Sequence, residues 1–117
     1  MAHTHLPEMP VAFYRSAAGA EPVREWLRSL APKDRRIIGG DLATVQIGWP
    51  LGMPLCRALG HGLWEVRSNL PGRRTARLLF FVHSGRIGVV HGFVKKTQKT
   101  PDEDLNLARR RMKEMVA

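Results

Sequence analysis

The sequence predicts an α+β fold: a small, antiparallel-rich sheet in the order β-α-α-β-β-β-α, with helices packed on one face. Three observations predict it. Two apolar stripes of helical period lie between residues 21 and 49. Three half-apolar runs of period two, separated by glycine-containing turns, fill residues 63–95. A last helical stripe, acidic at its start and basic at its end, occupies residues 100–115. A chain of 117 residues makes one domain, 1–117, and buries about two-thirds of the surface its unfolded form exposes. Residues 1–8 are expected to be disordered.

Taken in order, Met9 to Tyr14 is short, apolar and aromatic, and reads as a first strand. Glu21 is placed to cap a helix that Pro22 opens, since the first helical position tolerates proline. Val23, Trp26, Leu27 and Leu30 form its buried stripe. Pro32 opens a second helix with Ile38, Leu42, Val45 and Trp49 on one face. Gly39 and Gly40 weaken it by about 1 kcal/mol each relative to alanine. It ends by Gly48, after which Pro50, Gly52 and Pro54 mark a loop. Strands follow near 63–68, 75–83 and 86–95, joined by Leu70-Pro71-Gly72-Arg73 and by the short turn at His83-Ser84-Gly85. The final helix carries a capping box of Thr100 and Glu103 around Pro101. Its buried stripe is Leu105, Ala108, Met112 and Met115.

Charge is distributed unevenly. The first sixty residues hold seven bases and five acids, whereas residues 61–100 hold eight bases and one acid, Glu65. The net charge of +9 suits nucleic acid or another polyanion, with RNA foremost, although an acidic protein would satisfy the same charge. One cysteine, Cys56, excludes an internal disulfide, fits a reducing cytoplasm and reads as a small apolar packer. The N-terminus has no basic start followed by an apolar core, so neither a secretory signal nor a membrane location is expected. His3 and His5 read as a frayed terminus rather than a metal site, and no cofactor is expected.

Strand alternation assigns faces. Glu65, Arg67, Arg77, His91 and Lys95 fall on one face, with Leu63, Thr75, Leu79, Phe81, Ile87, Val89 and Phe93. Trp64, Val66, Leu78, Phe80, Val82, Val90 and Val94 fall on the other, which packs on helices. The first face is therefore expected to be open and basic. Bulges at Gly88 or Gly92 would exchange Lys95 and Lys96. The bland reading is that surface arginines solubilise and Glu65–Arg67 is a weak surface pair. His91 on its own is more often a satisfied strand histidine than a catalyst.

Three segments resemble the RelE/HigB superfamily of toxins, specifically its phage-derived HigB-like branch. They are Gly62-Leu63-Trp64-Glu65-Val66-Arg67, Thr75 to Phe81 around Arg77, and His91 to Pro101. The matching order of helices and strands runs from Val11 to Met115. The resemblance implies a RelE-like fold and a cytoplasmic, metal-independent endoribonuclease. Such an enzyme cuts messenger RNA, usually on the ribosome, and inhibits translation. It also implies a cognate antitoxin, often a helix-turn-helix protein, so that DNA is met only through the antitoxin. RNA supplies its own nucleophile, the 2′-OH, and the protein must stabilise the phosphorane and move protons. Arg77 and Lys95 match the family's basic positions most closely, and Arg67 less so. His91 is the candidate acid or base, with Glu65 as base or orienter. Lys96, Lys99, Arg73 and Arg74 are candidates for substrate phosphates, and Phe93 for a base. The tyrosine that some relatives place near the C-terminus is absent, since Tyr14 is the sole tyrosine. Two alternatives stay open: a non-catalytic RNA- or ribosome-binding module that blocks translation, and a basic subunit of an acidic protein.

Overall fold

The computed structural model describes residues 8–95 and 99–117. The disorder expected over residues 1–8 and the role expected of Lys96 lie outside the described residues, Glu8 excepted. The elements are β1 (Val11–Phe13), α1 (Pro22–Ser29), α2 (Pro32–Gly48), β2 (Cys56–Gly60), β3 (Leu63–Leu70), β4 (Arg74–His83), β5 (Arg86–Lys95) and α3 (Asp102–Val116). The strands form one mixed sheet in the order β1-β5-β4-β3-β2, with β1 parallel to β5 and the other pairs antiparallel. The α+β class and the expected succession of helices hold.

The helical stripes bury the expected residues. Val23, Ile38, Leu42 and Val45, with Trp26, Leu27, Leu30 and Trp49, pack on Val66, Leu78, Phe80, Ile87 and Val89. Pro22 and Pro32 each stand in the first turn of their helix. Glu21 occupies the N-cap of α1 but makes no side-chain capping bond; it pairs with Arg24 at 3.4 Å instead. Gly39 and Gly40 face open space, and α2 runs through them because the buried stripe on its other side holds it.

Three features depart from the sequence reading. Residues 56–60, expected in a loop, form β2 on the edge of β3, with Arg57 opposite Glu65. After Pro54 the loop punctuation stops and the free edge of β3 supplies the partners, so tertiary pairing decides the strand. The second departure is a bulge. His91 pairs with Leu79 and Val89 with Phe80, leaving Val90 as the extra residue. Ile87 and Val89 therefore face α1 and α2, and Val90 faces the other way, the reverse of the simple alternation. Gly92 lies on the α1 side, where a Cβ would run into the ring of Trp26.

The third departure matters most for function. The helices do not share one face, because α3 packs on the face expected to be open. Leu105, Ala108, Met112 and Met115 cover Leu63, Leu79, Phe81 and Val90. That face carries apolar residues in its first rows and bases in its last, and α3 seals the apolar rows. Arg109 and Arg111 fasten the helix by donating to the carbonyls of Leu59 in β2 and Val90 in β5, at 3.0 and 2.9 Å.

Candidate functional site

The site lies on the α3 face, where register sets the side chains in cross-strand rows. One row is Glu65–Leu79–His91, the next Arg67–Arg77–Phe93, and the last Asn69–Thr75–Lys95. The N-terminal end of α3 meets the first two rows. Arg77 is completely buried, so the expected open, substrate-facing arginine is an interior one. Its guanidinium donates to Thr100 Oγ1 at 2.8 Å and lies 3.7 Å from Glu65 Oε2. Thr100 in turn donates to Glu65 Oε1 at 2.5 Å. Burial lowers the pKa of Arg77, and the Glu65 charge opposes that shift.

Thr100 therefore does not cap α3. Pro101 is the N-cap residue, with no side-chain capping bond, because the threonine hydroxyl is engaged by the sheet. The capping-box expectation fails for this reason. Thr100 and Arg57 were missed as site residues. The alternation of Leu55, Arg57 and Leu59 was the one available signal for Arg57, and Thr100 carried none beyond its capping pattern.

Around this buried trio stand accessible cations. Arg67 keeps 23% of its side chain exposed, lies 3.8 Å from Glu65 Oε2, and its Nε donates to no partner among the described residues. Arg57 and Lys99 are exposed and, with Thr100 and Leu105, line a cleft of about 200 Å³. Lys95 is half-buried beside Thr75, on the face expected for it. These side chains can bind phosphate oxygens while the enclosed carboxylate holds the nearer arginines in place.

The remaining candidates are dispersed. His91 Nε2 is 2.6 Å from Asp104 Oδ1 of α3, and its ring lies 5.5 Å from that of Phe93. Two strand spacings separate it from Glu65, roughly 10 Å, so the two do not form one acid–base pair by direct contact. Asp104 was read only as a charge at the helix start. Arg73 is exposed in the β3–β4 turn. Arg74 is engaged on the α2 side, donating to Asp34 Oδ2 and Oδ1 at 2.8 and 3.1 Å. That pairing lowers the pKa of Asp34 and raises that of Arg74. Phe93 is half-buried against the α3 core. Among the described residues, no group of three His, Cys, Asp or Glu side chains is arranged to hold a metal, and no helix is long and apolar enough to cross a membrane.

A search of curated proteins returned no match. The model of the family described as phage-derived protein Gp49-like (DUF891) matches residues 25–113, a span that contains every site residue above. With most of its length, including the whole of the sheet from β2 to β5, fitted by that model, the chain belongs to the phage-derived Gp49-like family.

Proposed function

We propose that this chain is the toxin of a toxin–antitoxin pair, of the HigB-like kind, acting in the cytoplasm as a metal-independent endoribonuclease on messenger RNA engaged by the ribosome. Its family is toxin-like and related to the RelE and HigB toxins, which supports the class. The observation that carries the reading is the cluster of Arg57, Arg67, Lys95 and Lys99 around the enclosed Glu65–Thr100–Arg77 trio. Single-stranded RNA laid across this end brings its phosphates to preorganised cations.

In the reaction the 2′ oxygen attacks the adjacent phosphorus, the bond to the 5′ oxygen breaks, and a 2′,3′-cyclic phosphate and a 5′-OH end remain. Arg67 and Lys95 contact the phosphoryl oxygens and stabilise the added charge. Arg77 acts through Glu65 and Thr100 as a positioning residue. His91, oriented by Asp104, moves the protons. A helix-turn-helix antitoxin masks the basic end.

The test is induced expression with sequencing of new 5′-OH ends on cellular RNA, repeated in vitro with ribosomes and EDTA. Growth arrest with new ends that persist under chelation is expected. Unimpaired growth with soluble protein would remove the toxin reading. A second reading, translation blocked by binding without cutting, is favoured by the enclosure of Glu65 and Arg77 and the separation of His91 from them. It predicts growth arrest with no new ends.

A further inference from the structure

A cavity of about 410 Å³ adjoins the basic end and shares only Arg67 with the cations assigned above; its size is within the ~300–1,000 Å³ typical of small-ligand pockets. It opens where β2 stops and the edge of β3 continues past Arg67 to Asn69. Ile37 and Asp41, one turn apart on α2, make one wall, and Pro54 and Leu55 of the preceding loop make another. Arg67 and Asn69 of β3 complete the lining. Ile37 on one side and Pro54 with Leu55 on the other can flank a flat ring, and the polar groups are few. Among the described residues neither Asp41 nor Asn69 makes a side-chain hydrogen bond or ion pair, so their hydrogen-bonding capacity is available to a ligand. The Asp41 charge also reaches the buried Cys56 thiol, whose pKa is pushed up to about 11 by burial first and by that charge second.

The polar chemistry selects among bases. A carboxylate only accepts hydrogen bonds. Guanine presents two adjacent donors, N1–H and N2–H, on its Watson–Crick edge. Adenine and cytosine present one amino group next to an acceptor that would face the carboxylate, and uracil presents one N–H between two acceptors. The Asn69 amide can donate to guanine O6 while the Asp41 carboxylate takes the two donors. Arg67, on the shared rim, reaches the phosphate of the same nucleotide. We infer that this cavity is a guanine-selective nucleotide pocket that sets the base bound next to the phosphate held by Arg67. The inference rests on the RNA-binding reading above and adds to it a base preference and two residues, Asp41 and Asn69.

The test uses fluorescence anisotropy with short, labelled single-stranded RNAs that differ at one position, guanosine, inosine or adenosine, in an otherwise uridine strand. Guanosine should bind about tenfold more tightly than adenosine, toward the low end of what a bidentate side chain–base pair gives. Inosine, which lacks the N2 amino group, should fall between them. Asp41→Asn should bring the three RNAs within about twofold of one another, and Asn69→Ala should narrow the gap less. Arg67→Ala should weaken all three alike. Equal binding of the three RNAs by the unaltered protein overturns the pocket while leaving the basic end an RNA site, as does an undiminished preference in folded Asp41→Asn. Failure to bind any of the RNAs overturns direct binding of free single-stranded RNA at the basic end and the pocket with it.

Discussion

Replacing Arg77 by alanine should unfold the protein far more readily, and the magnitude follows from what surrounds the side chain. Arg77 and Glu65 are both fully buried, and each is the other's charge partner at 3.7 Å, with Thr100 bridging them. Deleting the guanidinium leaves an interior carboxylate held by one hydroxyl and by Arg67 at 3.8 Å. Breaking a buried pair by removing one partner costs about 3–5 kcal/mol, a large part of the ~5–15 kcal/mol that keeps a domain folded. At roughly 4 °C per kcal/mol for a domain of this size, the midpoint should fall by about 10–20 °C. Urea titration followed by circular dichroism and tryptophan fluorescence measures the loss. Arg67→Ala is the control: its side chain is part-exposed and its pairing loose, so it should lose no more than about 1 kcal/mol. Glu65→Leu combined with Arg77→Met should recover most of the stability, because an apolar pair leaves no orphaned charge. A loss below about 1 kcal/mol for Arg77→Ala would refute the reasoning, since a solvated arginine would behave that way.

The other expectations concern binding, pH and chemistry. Arg67→Ala and Lys95→Ala should each weaken RNA binding and lower the salt slope of log affinity by about one, whereas Arg74→Ala should leave the slope unchanged because Asp34 holds its guanidinium. Asp34, with its pKa depressed below 3.8 by Arg74, contributes stability that is present above that pH and lost as pH falls through its lower folded value. The difference in melting temperature between the unaltered protein and Asp34→Asn should therefore be full at pH 7 and fade below about pH 4. His91→Ala should slow single-turnover cutting by about 10²–10⁴-fold with RNA affinity unchanged, and Asp104→Asn should slow it less; near-normal rates for His91→Ala would remove the histidine from the chemistry.

Much of this architecture was legible in one dimension. The stripes Val23–Trp26–Leu27–Leu30, Ile38–Leu42–Val45–Trp49 and Leu105–Ala108–Met112–Met115 all pack as their helical spacing predicts. Period-two alternation likewise put Glu65, Arg67, Arg77, His91 and Lys95 on one face, and the registers place them there. These assignments depend only on the repeat of a helix or strand, a local property that the chain carries in its spacing.

What covers a face is not a local property. The choice of α3 to lie over Leu63, Leu79 and Phe81 turned Arg77 from an expected surface cation into an interior one and drew Thr100 from its own helix to the sheet. The edge of β3 made a strand of Cys56–Gly60, and the bulge at Val90 exchanged the faces that alternation assigns to Val89 and Val90. The pairing of His91 with Asp104 and of Arg74 with Asp34 joins residues whose separation in sequence follows no period. Sequence by itself determined the three helices, the strands β1 and β3 to β5, and the side on which most of their residues stand. Tertiary structure alone decided which of those sides meets water, because burial is set by contacts between distant segments rather than by any repeat along the chain.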